Sequence, residues 1–506
     1  MLRRQFLASA AAGLLPAVSA PPNLLFLMTD QMRFDALSCA GNAMLPTPHL
    51  DRLAREGVRF ENAMCPFPVC VPSRTGMLTG KSSANTRVRG NVAANDPVND
   101  PGPSFDNLLH DRGYKSQYHG KWHAPYKLAR TYDNRVAPVP EEHKQFIAYL
   151  DRHVPRRAPR KGELLERFYD RRPYRPYPAD TGYADAQAGA SESEHTTQGE
   201  VIGVIDVPEA HTNTAFTVDR TLQALNEMKD GPFTLTCSIG PPHPPFLAVE
   251  PFARMFPFDK MPLPKNFSHD LRWSPYRLRA ESMSHYHNAE YVRHLTAAYY
   301  AMVRHVDDQI GRVLKRLEEL GAARNTLVIF TSDHGEMLGS HGLVSKMVFH
   351  EESVHVPLMM RLPGAIKAGT VVSDPVSGLD LFATLLDYLG VRAPARDGDS
   401  LRPLIEGRGK AGPGFRVAEW GTRNAPSFMV RTAGWKLMLA DSPDSRAVDA
   451  LYDLRNDPYE MRNLLGDPAD RSRYAARARE MKDRLVEWLG RVRSPAIDGV
   501  KARRPA

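Results

Sequence analysis

The chain has 506 residues, 42% of them hydrophobic and 25% charged, with a formal net charge of +8 at pH 7. This balance is typical of a soluble globular protein, and the length suffices for one large domain and a smaller one. Four cysteines are too few for a fold built on disulfides, and no lysine- and arginine-rich tract interleaved with aromatics predicts nucleic-acid binding. A bridge between Cys39 and Cys65 stays open in an oxidising compartment.

The first twenty residues have the form of an export signal. Adjacent Arg3 and Arg4 precede a short apolar run, and a Val-Ser-Ala sequence ends at Ala20. The Arg-Arg-Gln-Phe-Leu beginning resembles a bacterial twin-arginine signal, with an ordinary secretory signal as the alternative. Neither this run nor any later segment reaches the ~20 apolar residues of a membrane span. We therefore expect residues 1–20 to be removed and the mature protein to be periplasmic or secreted, with no membrane span.

From Pro21 onward, short apolar runs alternate with amphipathic segments, which is typical of a parallel sheet covered by helices. Four runs are apolar enough to be buried strands of such a sheet: Asn23–Thr29, Tyr114–His119, Pro232–Ile239 and Thr326–Ser332. A helix lying on the sheet is predicted by apolar residues at helical spacing, namely Val306, Ile310, Val313 and Leu317. The predicted fold class is α/β.

Two other regions complete the predicted organisation. The stretch 156–200 is rich in proline, arginine and serine and weakly periodic, which predicts a long surface excursion. After about Ala395, short alternating runs followed by a helix over roughly 471–492 predict a small antiparallel sheet with one helix. We therefore expect a large domain over residues 21–395 and a smaller subdomain over residues 396–506.

Polar residues follow the first and last predicted strands, and open α/β sheets bind their ligands at such strand ends. Asp30 and Gln31 follow the first strand, and Asp333 and His334 follow the last. Two carboxylates, an amide oxygen and an imidazole at one sheet edge suit a divalent cation, and oxygen ligands favour Ca²⁺ or Mg²⁺. The alternative is that both aspartates only cap helices.

Further ionisable residues follow the other strands. Lys121 and His123 come after the second strand, and His243 comes after the third. His341 and Lys346 follow the last strand at a greater distance. Each could be a solvated surface side chain, but the coincidence of Lys121, His123 and His243 at strand ends favours a common site.

Cys70 stands at the predicted start of a helix, because Pro72 suits a first helical turn. The positive end of the helix dipole would lower the pKa of the Cys70 thiol. The residues alone leave open a packed thiol, a disulfide partner, or a nucleophile with His123 or His243 as its base. A simple thiol hydrolase, however, needs neither a metal site nor lysines nearby.

The stretch CVPSR from Cys70 to Arg74, followed by LTG from Leu78 to Gly80, resembles the C-x-P-S-R signature of formylglycine-dependent (type I) sulfatases. Other stretches resemble motifs of that family in the same order: PNLLFLMTDQ, GKWH, PPHPPF, SDHGEMLGSHG, SKMVFHEESVHVPLM and LYDLRNDPYEMRNLL. The resemblance extends from Pro22 to about Leu465. It implies an alkaline-phosphatase-like fold with a large, mixed, mostly parallel sheet between helices. It also implies an enzyme that hydrolyses O-sulfate esters, with a sulfated small molecule or glycan as substrate.

The resemblance further implies that Cys70 is oxidised to formylglycine (3-oxoalanine). A maturation enzyme that recognises Cys70, Pro72 and Arg74 would carry out this conversion. The aldehyde is then hydrated, and one hydroxyl of the hydrate attacks the sulfur of the ester. The second hydroxyl later expels sulfate and restores the aldehyde.

Carried over by position, the resemblance assigns a role to each candidate residue. It implies one divalent cation, Ca²⁺ first and Mn²⁺ or Mg²⁺ next, held by Asp30, Gln31, Asp333, His334 and the oxygen of modified Cys70. Lys121 and Lys346 would bind sulfate oxygens, and Arg74 would stabilise the hydrate. His123 would assist proton removal from the hydrate, and His243, with Lys346, would protonate the leaving alcohol.

Two positions depart from the commonest pattern of the family. Many members have Asp at the position of Gln31 and Asn at the position of His334. Variants with Gln and His occur in branches resembling choline sulfatase, iduronate sulfatase and the phosphonate monoester hydrolases. A phosphonate or phosphate ester hydrolase is therefore the alternative function, and a non-catalytic protein that binds sulfated glycans is a more remote one.

Overall fold

The computed structural model describes residues 21–92, 95–166, 168–176, 201–284, 287–422, 425–439 and 449–503. The predicted export signal and residues 177–200 of the predicted excursion lie outside the described residues. Within the described part, no helix is both long enough and apolar enough to cross a membrane.

The strands in chain order are β1 (Asn23–Asp30), β2 (Val58–Phe60), β3 (Ala63–Met64), β4 (Lys115–Gly120), β5 (Leu164–Glu166), β6 (Arg172–Pro176), β7 (Ile202–Ile205), β8 (Phe233–Pro242), β9 (Phe246–Ala248), β10 (Thr326–Ser332), β11 (Leu358–Arg361), β12 (Thr370–Val372), β13 (Val376–Ser377), β14 (Arg416–Gly421), β15 (Pro426–Arg431), β16 (Trp435–Leu439) and β17 (Ala450–Asp453). The four predicted strands are confirmed as β1, β4, β8 and β10.

The α-helices in chain order are α1 (Pro48–Glu56), α2 (Cys70–Thr79), α3 (Ser83–Thr86), α4 (Phe105–His110), α5 (Val139–His153), α6 (Asn213–Met228), α7 (Arg277–Ser282), α8 (Ala289–Glu319), α9 (Glu351–Val354), α10 (Asp380–Tyr388), α11 (Arg402–Ile405), α12 (Pro468–Arg491) and α13 (Ile497–Ala502). The predicted helix on the sheet is confirmed as α8, and its four apolar residues are all buried.

The central sheet has seven strands in the order β12-β2-β11-β10-β1-β8-β4. Strands β10, β1, β8 and β4 are parallel, whereas β11 is antiparallel to β10 and β2. Side chains alternate across β1, with Leu25 and Leu27 packed against α6 and α8, and Leu24 and Phe26 packed with α4 and α10 on the other face. The prediction of an α/β fold with a mixed, mostly parallel sheet between helices is confirmed.

The C-terminal part forms a second, antiparallel sheet in the order β14-β15-β16-β17. Helix α12 packs on one face of this sheet, and the other face packs against Cys65 and Phe349 of the preceding part of the chain. Helix α12 starts at Pro468 because the Asp467 side chain caps it, accepting a hydrogen bond from the amide of Ala469 at 2.8 Å. The predicted small antiparallel sheet with a helix is confirmed, and the domain boundary at residue 395 stays a prediction.

The prediction of a surface excursion over 156–200 holds for residues 156–163, which form no helix or strand and none of which is buried, but it is wrong for residues 164–166 and 172–176. Strands β5 and β6 lie within it and join β7 and β9 in a four-stranded sheet. Arg172 and Tyr174 of β6 are buried, and Arg172 donates hydrogen bonds to Asp151 and to the carbonyl of Val154. Arginine and proline interrupt the apolar alternation, so the pattern gave no strand signal.

The cysteines are all free thiols, so the Cys39–Cys65 bridge left open by the sequence is not formed. Cys65 is buried, and burial raises the pKa of its thiol. It is a packed core thiol.

Gly120 ends β4 immediately before Lys121, and its substitution tests how closely β4 packs on β8. An added Cβ at Gly120 would lie 2.1 Å from the Ser238 carbonyl oxygen, at a φ of +91°. We expect Gly120→Ala to lower the free energy of unfolding by at least ~3 kcal/mol, through left-handed backbone strain and overpacking. Gly113 has a φ of +83° but no described atom within 4 Å of an added Cβ. Gly113→Ala should therefore cost only ~1–2 kcal/mol. Urea denaturation measures both, and equal losses would contradict this packing.

Candidate active site

Cys70 is the first residue of α2, as predicted, and it is 0% exposed. The preceding residue, Val69, is extended, so the chain turns into the helix at the cysteine itself. The Ser73 hydroxyl donates a hydrogen bond of 2.6 Å to the carbonyl of Asp333, which holds the first turn of α2 against the end of β10. The helix therefore presents Cys70 to the carboxyl edge of the central sheet.

Three of the predicted metal ligands surround Cys70 at this edge. Asp30, Asp333 and His334 are each 0% exposed. One ligand atom from each of them and the sulfur of Cys70 all lie within 4.8 Å of one another. His334 Nδ1 lies 3.0 Å from the carbonyl of Gly335, which can only accept, so Nδ1 carries the proton. Its Nε2 faces the Cys70 sulfur at 3.2 Å and is the ring nitrogen placed to bind a cation. Two carboxylates and a free imidazole nitrogen are a donor set that fits a divalent cation.

Three cationic side chains compensate the two carboxylates. Arg74 is 1% exposed and reaches both, with Nε 2.7 Å from Asp333 Oδ2 and Nη2 3.2 Å from Asp30 Oδ2. Lys121 Nζ lies 2.7 Å from Asp30 Oδ2, and Lys346 Nζ lies 4.0 Å from Asp30 Oδ1. All three cations lie at the positions expected from the sequence, and together they make a buried, positively charged site.

The pKa values of the two aspartates move in opposite directions. Burial opposes ionisation of Asp30, but the surrounding cations, with Lys121 foremost, hold its pKa well below the usual range. Burial, together with the charge of Asp30, raises the pKa of Asp333. Two carboxylates that repel each other in this way would be relieved by a bound cation.

Lys121 and Lys346 also act on the Cys70 thiol and on the imidazole of His243. Burial and Asp30 oppose ionisation of Cys70, yet Lys346 and Lys121 bring its pKa well below the ordinary value. Burial, followed by Lys121 and Lys346, lowers the pKa of His243 to about 4. Lys346 Nζ lies 3.4 Å from the Cys70 sulfur. An anionic group is therefore favoured at the position of Cys70.

Gln31 is oriented by an acid that no sequence pattern singled out. Its amide Nε2 donates to the carboxylate of Glu336, and its Oε1 accepts a hydrogen bond of 2.6 Å from Lys346 Nζ. A carboxylate only accepts, so Glu336 determines that the oxygen of the Gln31 amide faces the site. Glu336 is 0% exposed and stands three residues after Asp333, where nothing in the sequence distinguishes it from a surface acid.

Two predicted candidates are not joined to Cys70. His123 has a φ of +36°, its Nδ1 is buried without a hydrogen-bond partner, and no hydrogen bond links it to Cys70 in the part of the chain described. The surface alternative for His341 is wrong, because His341 is 1% exposed. Its ring stacks on His350 with centroids 3.7 Å apart, and its Nε2 lies 2.8 Å from the Asn266 amide nitrogen, so it belongs to a separate cluster.

A cavity of about 130 Å³, which we call the side cavity, adjoins the site at Lys121 and His243. Its other walls come from α5, from the segment after β5, from the start of α6 and from β9 and α8. Lys121 and His243 thus face both the Cys70 site and a space large enough for part of a ligand.

Several known proteins are similar to this chain over most of its length. The multifunctional alkaline phosphatase superfamily protein PehA of Trinickia caryophylli is 27% identical, with 92% of this chain and 95% of that protein covered. N-acetylglucosamine-6-O-sulfatase of Bacteroides thetaiotaomicron is 27% identical, with coverage of 92% and 86%. The crystal structure of phosphonate monoester hydrolase of Agrobacterium radiobacter is 26% identical, with a TM-score of 0.73 and coverage of 94% and 97%.

Family models match the same span. The model described as N-sulphoglucosamine sulphohydrolase, C-terminal, matches residues 339–489. The model described as Sulfatase matches residues 22–391, which is well over half of the chain. The chain therefore belongs to the sulfatase family of hydrolases, within the alkaline-phosphatase-like superfamily.

Proposed function

We propose that the protein is an exported sulfatase that hydrolyses O-sulfate esters of carbohydrates through a formylglycine made from Cys70. The observation that carries the proposal is the position of Cys70, at the start of a buried helix between two carboxylates and three cations. A carbohydrate substrate is supported by the similarity to N-acetylglucosamine-6-O-sulfatase. Export rests on residues 1–20, whose sequence has the form of a signal.

The modification explains why a cysteine stands at this position. Formylglycine supplies a nucleophilic oxygen, whereas a thiolate would be a poor match to a site rich in oxygen ligands. Cys70 is 0% exposed, so a maturation enzyme has to act on it before the chain folds. A twin-arginine signal exports folded chains, which places this step before export.

The donor set suits one divalent cation, with Ca²⁺ first and Mn²⁺ or Mg²⁺ next. Its ligands are Asp30, Gln31, Asp333, His334 and the oxygen of modified Cys70. When bound, the ion supplies positive charge that lowers the pKa of the nucleophile. Asp30 and Asp333 supply the compensating negative charge, and Arg74 keeps both carboxylates in place.

The remaining residues act on the sulfate group and the leaving alcohol. Lys121 and Lys346 bind sulfate oxygens and stabilise the charge that develops on them during attack. His243 donates a proton to the leaving oxygen, assisted by Lys346. A role of His123 in removing a proton from the nucleophile rests on the family resemblance alone, because no hydrogen bond joins it to Cys70 among the described residues. Burial, followed by the charges of Lys121 and Lys346, lowers the pKa of His243, and an anionic substrate between the two lysines offsets the part due to their charges.

A second candidate function, hydrolysis of phosphonate or phosphate esters, is favoured by one observation. The similar structure from Agrobacterium radiobacter is that of a phosphonate monoester hydrolase. The tetrahedral anion and the leaving alcohol make the same demands on Lys121, Lys346 and His243 in either reaction. The two functions differ in the charge and the substituents of the group attacked.

Comparing two chromogenic substrates distinguishes these functions. We expect matured protein to hydrolyse 4-nitrophenyl sulfate with a kcat/KM at least about tenfold above that for 4-nitrophenyl phenylphosphonate, because each tenfold preference needs only ~1.4 kcal/mol of transition-state stabilisation. A dominant phosphonate activity would reverse the assignment.

Cys70→Ala should abolish both activities while retaining the circular dichroism spectrum, since removing one small side chain at a site costs little stability.

The cation is tested by thermal stability rather than turnover. We expect Ca²⁺ to raise the melting temperature of the protein after chelator treatment, because a ligand that binds only the folded state stabilises it. Asp333→Asn should reduce that shift. Asp106→Asn is the control and should leave the calcium shift unchanged. Asp106 is also 0% exposed, but it lies on α4 and accepts hydrogen bonds from Tyr132 and Thr234, which are not among the proposed ligands. An unchanged calcium shift in Asp333→Asn would contradict the assignment.

The role of Glu336 is tested by calcium affinity. We expect Glu336→Ala to weaken Ca²⁺ binding about tenfold or more, because Gln31 loses the acceptor that orients its amide. Glu336→Gln retains an acceptor oxygen, so its affinity for Ca²⁺ should fall less than that of Glu336→Ala. Calorimetric titration measures both, and wild-type affinity in Glu336→Ala would refute an orienting role.

A further inference from the structure

The side cavity contains a buried carboxylate without a partner. Glu142, in the first turn of α5, is 8% exposed and lines this cavity with Lys121. Within the described residues no hydrogen bond or ion pair reaches its carboxylate. Arg220 and Lys121 act on it only across space, since Lys121 is paired with Asp30 at 2.7 Å and Arg220 donates to Gln145. Burial raises the pKa of Glu142. Such a group is costly unless a ligand completes its hydrogen bonds.

Most of the remaining lining is apolar. Phe168, Tyr169, Leu247 and Met302 contribute rings and aliphatic surface, with Pro244 on the side of His243. Among the described lining residues, Lys121 is the only lysine or arginine. Apolar walls with a few polar groups are typical of small-molecule sites, and aromatic rings suit the carbon-bound face of a sugar ring.

The position of the cavity connects it to the reaction. Lys121 and His243, which in the proposed function bind the sulfate and protonate the leaving oxygen, form the wall shared with the Cys70 site. The alcohol part of an ester bound at Cys70 can extend past these two side chains into the cavity. The volume of about 130 Å³ suits one ring rather than several sugar residues.

We propose that the side cavity binds the alcohol part of the sulfate ester as a single uncharged, hydroxylated ring, and that Glu142 accepts hydrogen bonds from its hydroxyl groups. This inference rests on the proposed function. A second sulfate or a carboxylate on the same ring is disfavoured, because it would meet the negative charge of Glu142 in a cavity whose one described lysine, Lys121, is already paired with Asp30. Glu142 is thus a specificity residue for neutral monosaccharide monosulfates.

The test compares substrates with and without hydroxyl groups. Matured wild type, Glu142→Gln and Glu141→Gln are assayed on a panel of neutral monosaccharide monosulfates, on glucosamine 2,6-disulfate and on 4-nitrophenyl sulfate. We expect Glu142→Gln to lower kcat/KM for the best neutral sugar about tenfold relative to 4-nitrophenyl sulfate, mainly through KM. Glu142→Gln should also lower the ratio of kcat/KM for the monosulfated sugar to kcat/KM for the disulfated sugar. Glu141, on the same helix, is half-exposed, pairs with Arg135 and lies outside the cavity, so its variant should leave the ratio unchanged.

Each other outcome has a defined meaning. Equal losses on both substrate types, or a wild-type preference for the disulfated or an amine-bearing sugar, would overturn the assignment of Glu142. A lower melting temperature of Glu142→Gln would also overturn it, because removing an unpartnered buried charge should not destabilise the fold. If no sulfate ester is hydrolysed, including 4-nitrophenyl sulfate, then the proposed function itself fails.

Discussion

The site depends on two buried carboxylates at the ends of neighbouring parallel strands. Asp30 and Asp333 are fully buried, and each would be strongly destabilising without a partner. One guanidinium reaches both, because Nε and Nη2 of Arg74 point to different carboxylates. Arg74 lies one turn after Cys70 on α2, so the ion pairs that neutralise the sheet edge also set the position of the cysteine.

The neighbours of this pair follow from the same constraint. Arg74 also donates hydrogen bonds to the carbonyl of Lys121 at 2.7 Å and to the Ser238 hydroxyl at 2.8 Å. These contacts connect α2 to the ends of β4 and β8, where Gly120 permits a close approach to the Ser238 carbonyl. Four strands and the start of one helix are therefore held in one network, and the charges that we propose bind a tetrahedral anion are fixed before any ligand arrives.

The sequence predicted the parts of the molecule whose pattern is local. The runs that became β1 and β10 are apolar on both faces, and the polar residues after them had to meet at one edge, so Asp30 and Asp333 could be placed together. Strand β6 was missed because arginine and proline interrupt its alternation, and β5 was missed because it is only three residues long. Glu336 and Glu142 were missed for a different reason. Each is defined by a contact or a cavity formed with residues distant in the chain, and neither has a local signature.

In the proposed function, Cys70 is the precursor of the nucleophile rather than the nucleophile itself. The most direct test is the mass of the peptide containing Cys70, from protein made with the maturation enzyme, measured alongside sulfate release by the same sample. We expect an aldehyde in place of the thiol, and activity proportional to the converted fraction. Full activity from protein whose Cys70 is an unmodified thiol would contradict it.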